Sequence, residues 1–247
     1  MSEGRIRIGT GGWTYPPWRG TFYPDKYPQA KELEYASSQL GAIEINATFY
    51  SRQNPKSWEK WGNTVPDGFQ FTIKGSRYCV MRSRLCEGAE GIGNFFAQGF
   101  AALGDKLGPI MWQFAPRRKF DRDDIAGFID LLPVEVDGIK LRHAIEPRHA
   151  SFRDDAFFEL CRARNIAIVF EDSDDYPLIE ADTADFTYAR LQRMNEDVPT
   201  GYDASSLDGF AVKAKEWRAT GDAYIFLING AKVRAPAAAL ALQERLR

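Results

Sequence analysis

Short apolar runs alternate with helical stretches along nearly the whole 247-residue chain, and this rhythm limits the fold more than any single motif. The runs fall at residues 5–9, 42–46, 69–74, 109–114, a segment ending at Glu146, 166–170, 186–191 and 224–229. Residues 166–170 are apolar throughout, the pattern of a strand covered on both faces. Between the runs the spacing predicts helices over 31–40, from Asn54-Pro55 to about Pro66, and over 92–103, 121–132, 154–164, 205–220 and 236–246. Gly41 is a suitable C-terminal stop, and Pro55 and Pro236 suit first turns. The crossover 173–185 has no convincing helix. Parallel strands need crossovers of this kind, and such crossovers are right-handed. The expectation is therefore an α/β fold: one (β/α)8 TIM-type barrel over 1–247, with an irregular crossover after strand six. A doubly wound open sheet is the runner-up.

In most of these runs a polar or charged residue comes late. In a barrel those strand ends converge on one mouth, where the chemistry of this fold sits. The residues brought there are Glu44, Asn46, Lys74, Gln113, Glu146, Arg148, His149, Asp172, Arg190 and Asn229. Glu146 and Arg148 are two apart, so on an extended backbone both leave the same face. Groups of this kind are costly to desolvate unless paired, which favours a binding site over pure structure. The segment from Trp13 to Tyr27 is rich in aromatic rings. Most of them suit a small satellite core, while Trp13, directly after the first strand, is the ring expected to line a pocket. Tyr50 is a further candidate for substrate contact.

With 44% hydrophobic and 27% charged residues the chain can bury a sizeable core unaided. A net charge of −2 gives no global pull toward duplex nucleic acid or acidic membranes. Cys79, Cys86 and Cys161 are widely spaced and form no CxxC, which suits free thiols in a reducing compartment. No long apolar stretch reads as a membrane span, and Met1-Ser2-Glu3-Gly4-Arg5 leads into a strand without a signal-peptide core. The expected location is the cytoplasm. His143 and His149 are the only histidines, so a histidine-rich zinc centre cannot be assembled.

The chain resembles the YecE-like, or DUF72, family of TIM-barrel proteins over nearly its whole length. The resemblance rests on Ile8-Gly9-Thr10-Gly11-Gly12-Trp13 with Trp18, Gly20 and Phe22-Tyr23-Pro24, and on Glu44-Ile45-Asn46 with Thr48-Phe49-Tyr50. It continues through Pro66-Asp67-Gly68-Phe69, Lys74, Leu107-Gly108-Pro109, Gln113, Glu146, Arg148-His149, Ser151, Tyr188, Arg190-Leu191, Asn229 and Ala235-Pro236. It implies the fold and no particular reaction. Four positions depart from the family pattern: Phe152 stands for a tryptophan, Gln192-Arg193 for His-Gly, and Gly230 for a second asparagine.

The mixture of cations and carboxylates favours an enzyme of hydrolase, lyase or isomerase type, acting by acid/base chemistry on a small anionic or phosphorylated, hydroxyl-rich substrate. His149 is the expected proton shuttle and Glu146 or Asp172 the base. Lys74, Arg148 and Arg190 are the cation clamps, and Lys232 and Arg234 follow strand eight, where barrels of this type commonly seat phosphate. No cofactor is expected, with Mg²⁺ held by Glu44, Glu146 and Asp172 as a fallback. Ser151 is expected to cap the following helix. The alternative is a non-catalytic protein that binds an anion or single-stranded nucleic acid through the same basic residues.

Overall fold

The computed structural model describes residues 3–247; Met1 and Ser2, which open the segment expected to lack an export leader, lie outside the described residues. Eight parallel strands form a ring: β1 Ile6–Gly11, β2 Ala42–Ile45, β3 Gln70–Lys74, β4 Leu107–Gln113, β5 His143–Glu146, β6 in two segments (Ala167–Ile168 and Phe170–Asp172), β7 Phe186–Leu191 and β8 Asp222–Leu227. β1 pairs with both β2 and β8, which excludes the open doubly wound sheet. Closure runs through β6, whose first segment pairs with β5 and whose second pairs with β7. Val169, between the segments, donates its N–H to the Ile145 carbonyl at 2.9 Å. The expected TIM-type barrel is thus the fold, and the expected irregular crossover is present, since residues 173–185 contain no helix.

Outside the ring lie α1 Glu32–Gln39, α2 Pro55–Thr64, α3 Ala89–Phe96, α4 Arg122–Asp130, α5 Asp155–Ala163, α6 Ala204–Thr220 and α7 Ala235–Glu244. Four of these start where an Asn or Asp side chain accepts a free N–H of the first turn: Asn54, Asp121, Asp154 and Asp203. Two elements differ from expectation. The helix expected over 92–103 ends at Phe96, because Gly99 turns the chain with φ +83° and a 3₁₀ segment, Phe100–Lys106, follows. β4 starts at Leu107 rather than Pro109. Pro109 has no N–H to give the ladder, and the register against β3 slips there. No helix among the described residues is long and apolar enough to cross a membrane.

Side chains of the strands divide by face. Ile43, Phe71, Ile73, Trp112, Ile145 and Leu227 point outward and pack under the helices. Inside the ring, Ala42, Ala144 and Ala167 are small, and the space they leave is filled by Met111, Phe186, Tyr188, Tyr224 and Phe226. Tyr188 and Tyr224 stack at 6.4 Å, and Phe226 lies 5.2 Å from Tyr188. The interior is a packed core, so the strand ends above it form a shallow floor instead of a channel.

Candidate functional site

The two-residue period of β2, β5 and β7 carries the inner face from apolar side chains to charged ones: Ala42 to Glu44, Ala144 to Glu146, Tyr188 to Arg190. Glu44 and Glu146 are fully buried and Arg190 is 2% exposed. Arg190 joins them, with Nη1 donating to Glu146 and Nη2 donating to Glu44 at 3.1 Å. The second Glu44 oxygen accepts the Tyr188 hydroxyl at 2.6 Å, and Thr72 lies 2.9 Å from that hydroxyl. With its own proton directed to Glu44, Tyr188 accepts from Thr72.

From this centre a hydrogen-bonded arc runs around the mouth. Lys74 Nζ donates to Gln113 at 2.9 Å, and Gln113 Nε2 donates to Glu146 at 2.6 Å. Arg148 donates to Glu146 at 2.6 Å and to Glu171 at 3.4 Å, with its guanidinium 4.0 Å from the Tyr176 ring. Gln192 Nε2 donates to Glu171, and Asn229 Nδ2 donates to Gln192 at 2.6 Å. Each amide has one orientation that satisfies both neighbours.

This arrangement sets the proton inventory. Burial disfavours the Glu146 charge, but Arg190, Arg148 and Lys74 outweigh it and hold the carboxyl below its ordinary range. Glu171 goes the other way: burial, then the Glu146 charge, push it up to about 8. Its Oε2 is buried without a hydrogen-bond partner, a setting that further disfavours the charged form. Burial, then Arg190, lowers Lys74 to about 8. Burial opposes the Arg190 charge, yet Glu146 and Glu44 raise its pKa.

Beside the network lies a cavity of about 270 Å³. Asn46, Tyr50, Lys74, Arg190, Asn229 and Lys232 line it, so its charged lining groups are all cations. Lys232 is lowered in pKa by burial and stands 4.8 Å from the Tyr15 ring. Trp18, fully buried, closes one side and donates its indole N–H to the Lys232 carbonyl at 3.0 Å.

Of the residues expected here, Glu44, Lys74, Gln113, Glu146, Arg148 and Arg190 form one network, and Asn46, Tyr50 and Asn229 border the same cavity. Three others stand apart. Trp13 packs edge-on against Trp61 at 5.3 Å and beside Phe71, so the tryptophan at the cavity is Trp18. The His149 Nδ1 accepts from the Ser151 N–H at 3.1 Å and lies 2.8 Å from the Ser151 hydroxyl, which makes His149 the cap of the turn Ala150–Phe152. Ser151 does not cap the next helix: its hydroxyl accepts the Phe120 N–H at 2.8 Å, and Asp154 caps α5. Asp172 points away from the network, accepting from the Tyr202 hydroxyl at 2.8 Å and pairing with Arg193. The three carboxylates named for Mg²⁺ are therefore not gathered, and no group of three or more His, Cys, Asp or Glu among the described residues is arranged to hold a metal ion.

Sequence reasoning passed over Glu171, Gln192 and Tyr188 as site residues. Alternation signals Glu171, which is two residues beyond the inward Val169, but the uniform apolarity of 166–170 hides the phase. Gln192 continues the inner face of β7 beyond Arg190.

The model of a family described as "Protein of unknown function DUF72" matches residues 7–247. A curated relative, UPF0759 protein YunF of Bacillus subtilis (strain 168), is 36% identical over 69 residues, which cover 28% of this chain and 23% of YunF. The match thus spans less than a quarter of that protein. Among solved structures, the DUF72 family protein TM1631 of Thermotoga maritima MSB8 superposes with a TM-score of 0.80 at 21% identity, over 98% of this chain and 99% of that one. SacUVDE shares the fold with a TM-score of 0.59 at 10% identity, over 98% of both chains.

Proposed function

The chain belongs to the DUF72 family, and from the chemistry of its barrel mouth we propose that it is an enzyme acting by proton transfer on a small anionic or phosphorylated, hydroxyl-rich substrate. The observation that carries this reading is the 270 Å³ cavity whose charged lining groups are Lys74, Arg190 and Lys232. An oxyanion entering it meets three cations and the amides of Asn46 and Asn229. The volume suits a small metabolite, at the low end of ordinary ligand sites.

The base moves from Glu146 or Asp172 to Lys74. Glu146 is ionised and both its oxygens are occupied, so its work is to fix Arg190, Arg148 and Gln113. Lys74 lines the cavity and has a pKa of about 8, so near that pH about half of it is a neutral amine able to take a proton from substrate. Glu171 is a stored proton behind Gln192 and Asn229, linked by hydrogen bonds to the cavity wall. Arg190 faces charge developing on the substrate, and it is held in place by two carboxylates before substrate arrives.

The test is turnover and binding of a panel of sugar and polyol phosphates by the full chain. Lys74→Met should abolish turnover while leaving the Kd within about tenfold, whereas Lys232→Ala should raise KM with little change in kcat. Equal turnover by wild type and Lys74→Met, or no saturable binding of any phosphorylated compound, refutes the proposal.

One observation favours a second reading, the non-catalytic binder. Tyr50 and Tyr78 are 66% and 70% exposed, and Tyr78, Arg52 and Arg82 line a cleft of about 350 Å³ over the loops after β2 and β3. Single-stranded nucleic acid stacked on such rings would lose affinity steeply with salt, and a flat salt response removes that reading.

A further inference from the structure

A second concentration of positive charge lies at the other end of the barrel. There the N-terminal strand ends are closed by Arg7 of β1, Gln70 of β3, Arg142 just ahead of β5, and Asp222 and Tyr224 of β8. Arg7 Nη1 and Arg142 Nη1 stand 3.0 and 3.1 Å from the same Asp222 oxygen, while the Tyr224 hydroxyl donates to Gln70. One carboxylate thus answers two guanidinium groups. Arg7 is 7% exposed; its Nη1 has the Asp222 ion pair, while its Nε is buried with no hydrogen-bond acceptor among the described residues. Donors of this kind are costly to leave unmade.

Below this floor opens a cleft of about 550 Å³. Its charged lining side chains are Arg5, Arg7, Lys140 and Arg142 against Asp105. Arg5 and Lys140 are exposed, and neither side chain has an ion-pair partner among the described residues. Three turns border the opening at Gly68, Gly104 and Gly138, with φ of +81°, +53° and +77°. Nothing lies within 4 Å of where a Cβ would stand at Gly104 or Gly138, so the backbone conformation that selects glycine also keeps the rim free of side chains.

A floor that served stability alone would pair its charges. Here four cations face one lining carboxylate and one behind it, and the most deeply buried of them has a free donor at Nε. We propose that this N-terminal cleft is a binding site for a small phosphate-bearing anion, distinct from the mouth. The guanidinium groups of Arg7 and Arg142 take the oxygens in paired hydrogen bonds, and Arg5 and Lys140 close over the remaining charge. The site stands at the opposite end of the barrel from the proposed reaction and does not depend on it.

The test is calorimetric titration of the full chain with pyrophosphate at fixed ionic strength. Wild type should show two sites. Arg5→Ala/Lys140→Ala should weaken one of them by about tenfold or more and leave the other. Lys232→Ala should do the reverse, and Lys56→Ala/Lys60→Ala, on the outer surface of α2, should change neither. The inference is overturned if Arg5→Ala/Lys140→Ala matches wild type in stoichiometry and Kd, if it weakens binding no more than the α2 pair does, or if Lys232→Ala removes all binding. Loss of the Lys232-dependent site alone bears on the mouth and leaves this cleft standing.

Discussion

Glu171→Gln changes one proton and almost no shape, which makes it the sharpest test of how the mouth is charged. Glu171 is 1% exposed and raised to about 8 by burial and the Glu146 charge, from an ordinary value of 4.5. A carboxyl whose folded pKa is raised contributes stability that is fully present below the unfolded value and is lost as pH rises through the folded one. The loss runs between about pH 4.5 and 8 at up to about 1.4 kcal/mol per pH unit, one proton's worth. His143 works in the opposite sense: burial lowers it to about 4, so between about pH 4 and its ordinary value of 6.5 its contribution grows with pH and masks Glu171. Lys74, lowered to about 8, adds its rising contribution only above that pH. The clear window is pH 6.5 to 7.5, where wild type should lose about 1.4 kcal/mol in urea unfolding, a large share of a typical 5–15 kcal/mol. Glu171→Gln keeps the oxygen that accepts from Gln192 and Arg148 and should remove this slope. A variant with the wild-type slope would show that Glu171 is ionised in the fold, and the stored proton would have to be abandoned.

Arg190→Met should cost about 3–5 kcal/mol by denaturant unfolding, because it leaves Glu44 buried without a counter-charge and Glu146 with Arg148 as its remaining ion pair; Arg190→Met combined with Glu44→Gln should recover part of that, and equal losses in the two variants would contradict the bridging role. Gly75→Ala places a Cβ 2.2 Å from Trp112 Cε3, so it should destabilise by about 1–3 kcal/mol or more and misplace Lys74 next to it, read as a loss of turnover; unchanged turnover would show that the Lys74 position is independent of this contact. Tyr188→Phe removes one donor to Glu44 and should cost about 1.5–3 kcal/mol in unfolding, with a negligible change as the refuting result.

The strand ends were legible because the residues that converge there break apolar runs: Glu44, Lys74, Gln113, Glu146 and Arg190 each come late in a run, and each does face the mouth. What stayed hidden was phase. In 166–170 every side chain is apolar, since one face meets the helices and the other meets the barrel interior, so no alternation chose between Glu171 and Asp172. The short loop after β5 was misleading for a different reason. His149 and Ser151 are polar residues at the right place in sequence, but the His149 ring accepts an N–H of the three-residue turn that follows it, and the Ser151 hydroxyl accepts the Phe120 N–H. Trp13 and Trp18 are equivalent as rings in a loop, and only the path of the chain over α2 and α7 separates them. The strands themselves were recovered to within a few residues, with the largest discrepancies where Pro109 forces a slip and where Val169 divides β6.

The uneven filling of the ring has a bearing on what the mouth can become. Aromatic bulk enters the centre from β7 and β8 alone, while β2, β5 and β6 face it with alanine. The depth of the well is therefore controlled from one side, and Tyr188 is its stopper: trimming that position lowers the bottom toward Tyr224, whereas enlarging Ala42, Ala144 or Ala167 has nowhere to go. Variants that accept longer substrates should accordingly arise by shaving β7 and β8, with the opposite wall left as it is.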